Sequence, residues 1–191
     1  HHTVSAVALV GGGSKARPGE ISLAHGGVLF LDELPEYDRA ALEAMRQPLE
    51  DGFVSVVRVS AQAKYPARSM LIAAMNPCPC GYYGSTQKKC SCSPNLVKRY
   101  LSKISGPLLD RFDLHVDVDP VAYADLSSTE KTESSQAIRE RVENARNRQK
   151  ERFRGTDIYC NAMMPDHLLR EYCRMDAQAQ ALLKAVFERY G

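Results

Sequence analysis

Two adjacent carboxylates, Asp32 and Glu33, directly follow the apolar run 28–31. The run has the length of a strand and no polar alternation, which is typical of a parallel strand covered on both faces. Unpartnered carboxylates are costly to bury, so this strand should end at water, a cation or a ligand. An apolar strand followed by Asp-Glu is the Walker B pattern, in which the Asp holds Mg²⁺ and the Glu acts on the attacking water. Taken alone, these residues fit a solvated acidic turn equally well.

Two further polar residues stand where a nucleotide-hydrolysing site needs them. The apolar segment 70–75 is a second buried-type strand that ends at Asn76, and Arg111 lies further on in GPLLDRFD. Ligands of open α/β sheets bind at the carboxyl ends of strands, so Asn76 would lie between Glu33 and a γ-phosphate. Ring-forming ATPases also use an arginine supplied to a neighbour's nucleotide, and Arg111 fits that role.

Four of the six cysteines fall within one short segment, as Cys78-x-Cys80 and Cys90-x-Cys92. Four thiolates suit one tetrahedral Zn²⁺, with sulfur about 2.3 Å from the ion. The C-x-C spacing is tighter than the usual C-x2-C, so reduced thiols and disulfides formed on handling are alternatives. A zinc ion here would be structural and would fix the loop after Asn76, because four cysteines leave no open coordination position.

The bulk composition narrows the class of protein. The chain has 191 residues and is 44% hydrophobic, so it can bury a core. Its formal net charge of +2 is close to neutral, so the overall charge gives no indication of a nucleic-acid partner. The absence of a long apolar run or a signal peptide predicts a soluble, cytoplasmic protein. The charge run in 137–154 is typical of a solvated face, with nucleic-acid or phosphate contact as the alternative. Cys160 and Cys173 are expected to be ordinary buried cysteines.

Periodicity and capping predict the elements that position these groups. Asp38 is a plausible N-cap of a helix that Gly52 ends, with a kink or restart near Pro48. The glycine run 11–13 lacks the G-x-x-x-x-G-K-[ST] pattern and predicts an ordinary flexible loop. The other predictions are a helix at 20–25, a hairpin over 53–69 with its turn at 60–64, a basic helix at 95–104, a half-buried strand at 112–118 with His115 on its polar side, and helices at 137–154 and within 165–190.

Longer motifs give the chain a family resemblance. The segment GEISLAHGGVLFLDELPEYDRAALEAMRQPLEDGFVSVVR resembles the AAA+ ATPases related to the magnesium-chelatase ATPase subunit. AAMNPCPCGYYG, CSCSP and SGPLLDRFDLHVDV point further, to the branch typified by the competence protein ComM. The resemblance covers nearly the whole chain, and the initial His-His-Thr belongs to the family rather than to a tag. It implies an incomplete P-loop NTPase α/β core with a parallel sheet over 1–121 and a truncated helical lid over 122–191.

The resemblance also implies residue roles. Asp32 would be the Walker B residue for Mg²⁺, Glu33 the catalytic acid, Asn76 sensor 1 and Arg111 the arginine finger. The segments 1–25 and 53–69 would be the helix-2 insert and the hairpin before sensor 1, which face the pore in hexameric relatives. The implied cofactors are ATP and Mg²⁺, and the implied partners are other copies in a hexameric ring and DNA, with no membrane. Candidate substrate contacts, or else plain solvated loop charges, are Lys15, Arg17, Arg58 and Lys64.

The chain departs from the family at both ends. No Walker A motif is present, and in the family it would lie upstream of His1; sensor 2 would lie beyond Gly191. We therefore expect these residues alone to hydrolyse no ATP, to bind nucleotide weakly at best, and to self-associate through apolar surface that a missing central strand exposes. The whole protein is expected to couple ATP hydrolysis to DNA remodelling or branch migration. A magnesium-chelatase motor and a non-catalytic zinc-stabilised binding module are the alternatives.

Overall fold

The computed structural model of the chain describes residues 3–13, 16–58, 61–119, 121, 127 and 132–190, without the side chains of residues 58 and 61. The chain forms two compact units, His1–Leu126 and Ser127–Gly191. The first unit mixes helices with a parallel strand pair, and the second is helical. In the described ranges, no helix combines the length and the apolar character needed to cross a membrane.

The first unit alternates short helices with short strands. Its elements are α1 (Ala6–Val10), β1 (Gly11–Gly12), β2 (Arg17–Pro18), α2 (Glu20–Leu23), β3 (Val28–Leu31), a 3₁₀ turn (Leu34–Glu36), α3 (Arg39–Ala44), α4 (Arg46–Asp51), β4 (Phe53–Arg58), β5 (Ala61–Pro66), β6 (Met70–Ala73), α5 (Pro94–Leu101) and α6 (Gly106–Leu109). The predicted helix near residues 20–25, the two apolar strands and the basic helix are all confirmed.

The core of the first unit joins the three N-terminal helices to β3. Leu9 of α1, Ile21 of α2 and Leu42 of α3 are buried in one hydrophobic cluster that also contains Leu29 and Leu31 of β3. Helices of this length are too short to be stable alone. Burial of their apolar surface, which contributes roughly 25 cal/mol of stabilisation per Å², keeps them folded.

The helix predicted between Asp38 and Gly52 is two helices with the expected caps. The Asp38 carboxylate accepts a hydrogen bond from the N–H of Ala40 at 3.2 Å. Gly52 ends α4 in the left-handed conformation, with a φ of 72°. Pro48 has no N–H, and its ring crowds the carbonyl of the residue four earlier, so α3 ends at Ala44 and α4 restarts at Arg46. The predicted restart near Pro48 is confirmed.

Strands β3 and β6 form a parallel pair with Leu31 opposite Ala73. The expectation that β3 is covered on both faces is wrong. Leu29 and Leu31 are buried, whereas Val28 and Phe30 are 55% and 57% exposed. Met70 and Ile72, opposite them in β6, are exposed as well. The helices of the described first unit cover only one face of this sheet, which leaves an apolar patch on the other.

The hairpin is present, but its predicted turn is wrong. β4 and β5 pair from Phe53↔Pro66 to Arg58↔Ala61, so residues 61–64 lie in a strand and not in a turn. The connection is therefore residues 59–60, which lie outside the described residues.

The expected flexible glycine loop is in fact a small antiparallel pair, in which Gly11 and Gly12 face Pro18 and Arg17. A Cβ on Gly19 would lie 2.3 Å from the backbone N of Gly11 and 2.5 Å from the carbonyl O of Leu9. Only glycine permits this approach of the two backbones.

The half-buried strand predicted at 112–118 is wrong. No ladder forms there, and Leu114, Val116 and Val118 are 79–87% exposed. Alternation reports which side chains prefer burial, but a strand also needs a partner, and the described part of the chain offers none to this segment. His115 is exposed, as expected.

The second unit contains three helices and a 3₁₀ turn among its described residues: α7 (Ser135–Arg152), the 3₁₀ turn Asn161–Met163, α8 (Asp166–Tyr172) and α9 (Ala177–Tyr190). These confirm the predicted helices. Phe153 is buried and meets Tyr172 edge to face, with ring centroids 5.9 Å apart. The prediction that Cys160 and Cys173 are buried is wrong. Cys160 is half-buried and Cys173 is exposed.

Candidate functional site

The carboxyl ends of β3 and β6 meet at one open cavity. Backbone hydrogen bonds tie the segments after the strands together, from the N–H of Ala74 to the carbonyl O of Leu31 at 2.9 Å and from the N–H of Leu34 to that of Ala74 at 3.0 Å. The structure thereby brings three predicted site residues to the same place. The cavity holds about 110 Å³ and is lined by Asp32, Glu33, Ala74, Met75 and Asn76.

The backbone at Glu33 is in an unusual conformation. Its φ and ψ of 54° and 46° are left-handed, which costs a non-glycine residue about 1–3 kcal/mol. The Glu33 N–H donates to Oδ1 of Asp32 at 2.9 Å, and buried Leu34 and Pro35 follow directly. These contacts hold the strained turn, and strain of this kind concentrates at functional sites. The sequence contains no sign of it.

Tyr37 is a site neighbour that the sequence reasoning missed. Its side chain is buried, and burial together with the negative charge of Asp32 raises the pKa of the Tyr37 phenol. Asp32 therefore lies close enough to the Tyr37 ring to act on it electrostatically. An aromatic residue so soon after the Asp-Glu pair was the available signal.

Arg111 is not among the residues that line this cavity. It follows α6, and its guanidinium Nη2 lies 2.8 Å from Oε2 of Glu50 in α4. Both side chains are substantially exposed, so the ion pair contributes at most about 1 kcal/mol. The candidate arginine finger is thus held at the surface by its own chain.

The candidate substrate residues lie in two segments that contact each other. The Tyr65 hydroxyl of β5 donates to the carbonyl O of Ala16 at 2.7 Å, which ties the hairpin to the N-terminal segment. Arg17 is exposed in β2, and the ammonium of Lys64 in β5 lies 3.4 Å from the Phe53 ring centroid. Lys15 and the side chain of Arg58 lie outside the described residues.

The four clustered cysteines converge. Their sulfur atoms all lie within 4.8 Å of one another, and none is in a disulfide. Sγ of Cys78 is 3.4 Å from that of Cys80 and 3.7 Å from that of Cys90. Four sulfurs about 2.3 Å from a central ion would be roughly 3.8 Å apart, so the donor set fits a tetrahedral metal such as Zn²⁺. Cys78 is fully buried, which anchors the cluster in the unit.

Backbone N–H groups favour the thiolate form of part of this cluster. Donors from Tyr82 and Ser91 lower the pKa of Cys80 to about 5. At Cys90 the N–H of Cys92 acts in the same direction, but burial and the neighbouring thiols raise the pKa to about 12. Without a cation these sulfurs cannot all be ionised together, and a bound metal removes that conflict.

Helix α5 lies between the cysteines and the acidic strand end. Tyr100 of α5 is buried, and its pKa is raised by burial and then by the charges of Glu36, Cys78 and Glu33. Lys103 reaches Glu36 at 3.5 Å. The metal-type cluster and the candidate nucleotide cavity are therefore neighbours, which spacing in the sequence did not indicate.

Comparison with known proteins places the chain in a family. A model described as magnesium chelatase, subunit ChlI, matches residues 1–126, and one for the C-terminal part of the same subunit matches residues 132–191. The chain is 48% identical over its whole length to competence protein ComM of Haemophilus influenzae and 42% identical to YifB of Escherichia coli. It is 44% identical over 99% of its length to Rv2897c of Mycobacterium tuberculosis.

The chain spans 36–37% of the length of these three relatives. The two family models describe the same subunit, and together they match nearly the whole chain. The chain therefore belongs to the magnesium chelatase subunit ChlI family, in its ComM-like branch.

Proposed function

We propose that this chain carries the Walker B, sensor 1 and arginine-finger residues of an AAA+ ATPase that works as a hexameric ring, and that the whole protein uses ATP hydrolysis to remodel DNA or drive branch migration. The observation that carries the proposal is the parallel β3–β6 pairing, which puts Asp32, Glu33 and Asn76 around one cavity. The ATPase half of this proposal, ATP hydrolysis by a ring, is supported by the family. The DNA half, remodelling or branch migration, is supported by the ComM-like branch.

The cavity suits Mg²⁺ by its donor set. Asp32 is exposed, and its Oδ1 accepts a hydrogen bond from the N–H of Glu33, which orients the carboxylate. Mg²⁺ is usually held by one or two carboxylates together with waters and phosphate oxygens. Asp32 would hold the ion, which when bound supplies neutralising charge to the phosphates.

The other residues have separate tasks in this proposal. Glu33 orients the attacking water and accepts its proton, and the strained turn fixes where its side chain starts. Asn76 donates an amide hydrogen bond toward the γ-phosphate. Arg111 exchanges Glu50 for the nucleotide of a neighbouring subunit, where it stabilises the charge that develops in the transition state.

The cysteine cluster is proposed to bind one structural Zn²⁺. The sulfur distances fit one ion, and four thiolates complete its coordination and leave no position for a reacting water. The ion would fix the loop between Asn76 and α5. We include Arg17 and Lys64 as DNA contacts of the two joined surface segments, together with Lys15 and Arg58.

Branch migration tests the proposal. Full-length protein that contains these residues should move a labelled forked or four-way DNA junction only with ATP, and Glu33→Gln should abolish the movement. Glu36→Gln is the matched control, since Glu36 is an exposed glutamate outside the cavity lining. ATP hydrolysis without any effect on DNA would reject the DNA half alone.

The family description favours one second candidate, a chelatase motor that drives metal insertion into a tetrapyrrole. That function predicts ATP-dependent metallation of a porphyrin in the presence of two further subunits. Porphyrin metallation with no activity on DNA junctions would favour it over the first proposal.

A further inference from the structure

We propose that the cysteine knuckle, residues 78–92, is a contact site for single-stranded nucleic acid, in which Tyr83 stacks on a base and Lys88 and Lys89 contact phosphates. The inference rests on the DNA half of the proposed function and adds a binding surface to it. The knuckle lies outside the nucleotide cavity and outside both segments already assigned to DNA contact.

The first observation is a strong segregation of charge. Residues 52–109 contain eight Lys or Arg and no Asp or Glu, although the whole chain has a net charge of only +2. Five of those cations lie in the knuckle or in the helix and turn that follow it: Lys88, Lys89, Lys98, Arg99 and Lys103. A net charge near zero thus conceals a locally basic region, and such regions attract the phosphate backbone.

The cations of the knuckle are available for a ligand. Lys88 and Lys89 are exposed, and among the described residues neither forms an ion pair. A Zn²⁺ held by four thiolates carries a net charge of about −2. Lys103 is paired with Glu36, but the other four cations still outnumber that charge, so the region stays basic when the metal is bound.

The second observation is a pair of exposed aromatic rings in the same loop. Tyr82 is 38% exposed and Tyr83 is 55% exposed, and they lie between Gly81 and Gly84, which both have a φ of 81°. The N–H of Tyr83 donates to Sγ of Cys78 at 3.3 Å. The tight turn and this hydrogen bond hold the backbone of Tyr83 in place, so its exposed ring has a fixed point of attachment.

These two observations together favour single-stranded nucleic acid over other anionic partners. Exposed aromatic rings stack on unpaired bases, while neighbouring cations follow the backbone. The ammonium of Lys88 already lies 4.4 Å from the Tyr82 ring centroid, so ring and charge are side by side. An acidic peptide would use the lysines and leave the rings without a role.

The test measures binding of full-length protein to a fluorescein-labelled (dT)30 by anisotropy. We expect Tyr83→Ala to weaken binding about 10-fold, because a base stack of 1–3 kcal/mol is lost, while Tyr83→Phe keeps the affinity. The Lys88→Gln/Lys89→Gln variant should weaken binding and reduce the slope of log K against log salt by about 1.4. Tyr159→Ala, an exposed tyrosine of the second unit, is the control and should bind as the wild type does.

Each other outcome is decisive. Wild-type affinity in both Tyr83→Ala and the double lysine variant, with the wild type binding (dT)30, overturns this inference and leaves the proposed function standing. If Tyr83→Ala loses as much affinity for a 30-base-pair duplex as for (dT)30, the stacking role of Tyr83 is overturned. If the wild type binds no DNA at all, the DNA half of the proposed function fails first. Unchanged zinc content and DNA-independent ATPase in the variants show that they fold.

Discussion

The Arg111 guanidinium lies 2.8 Å from the Glu50 carboxylate, on the exposed surface of the same unit. Glu50 belongs to α4, which ends at Asp51, and Arg111 follows α6. The candidate arginine finger therefore has a partner before any neighbouring subunit arrives. Because an exposed ion pair contributes about 0.2–1 kcal/mol, a nucleotide on a neighbour can readily displace it.

Mixing two inactive variants tests whether Arg111 acts in a neighbouring subunit. Arg111→Ala and Glu33→Gln should each hydrolyse ATP at least about 100-fold more slowly than wild type, given the 10³–10⁵ effect of such arginines. Mixed rings contain interfaces with an intact Glu33 on one side and an intact Arg111 on the other, so the mixture should regain activity. No recovery, in mixtures shown by native mass spectrometry to form mixed rings, would place both residues in one subunit.

Removing Glu50 should release Arg111. We expect Glu50→Gln to raise the ATPase rate, by no more than about 5-fold, because the pair it breaks is worth at most about 1 kcal/mol. Glu20→Gln, another exposed glutamate, should have no effect. A large loss of activity in Glu50→Gln would show that Glu50 positions Arg111 and does not merely hold it at rest.

Metal removal should destabilise the knuckle. We expect about one zinc per chain by elemental analysis. Chelation should lower the Tm by more than about 4 °C, since losing about 2 kcal/mol of stabilisation by the bound metal suffices for that shift. Cys80→Ser should lose the metal, and Cys173→Ser, at an exposed position in the second unit, should keep it. Purified protein without zinc and without a chelator effect would remove the metal site.

The exposed face of the β3–β6 pair should make the 191-residue chain self-associate. Val28, Phe30, Met70 and Ile72 form an apolar patch on this face. Replacing Val28 and Phe30 by Thr keeps strand propensity but removes apolar area, so light scattering should show a smaller species. Val57→Thr, at an exposed position of β4, should associate as the parent chain does. A monodisperse parent monomer would contradict the prediction.

Much of the first unit could be predicted because local signals agree there. The apolar runs mark β3 and β6 as strands. Asp38 and Gly52 mark the ends of the α3–α4 pair through cap chemistry, and Pro48 marks the break. Each of these features depends on interactions close in sequence.

The remaining features depend on partners that a pattern cannot name. The alternation at 112–118 indicates a strand, but no neighbour in the described chain completes it. The Arg111–Glu50 pair arises from packing between distant segments, and the left-handed backbone at Glu33 leaves no mark in the pattern of residue types. Thiol spacing predicted the cysteine cluster, whereas its closeness to Glu33 through Tyr100 could be seen only in the fold.

ATP hydrolysis by full-length Glu33→Gln tests the central claim most directly. We predict that this variant binds ATP with wild-type affinity in the presence of Mg²⁺ but hydrolyses it at least about 100-fold more slowly, because it lacks the group that positions and deprotonates water. The matched Glu36→Gln variant should hydrolyse ATP at the wild-type rate. Wild-type hydrolysis by Glu33→Gln would show that the carboxylates after β3 are not a Walker B pair.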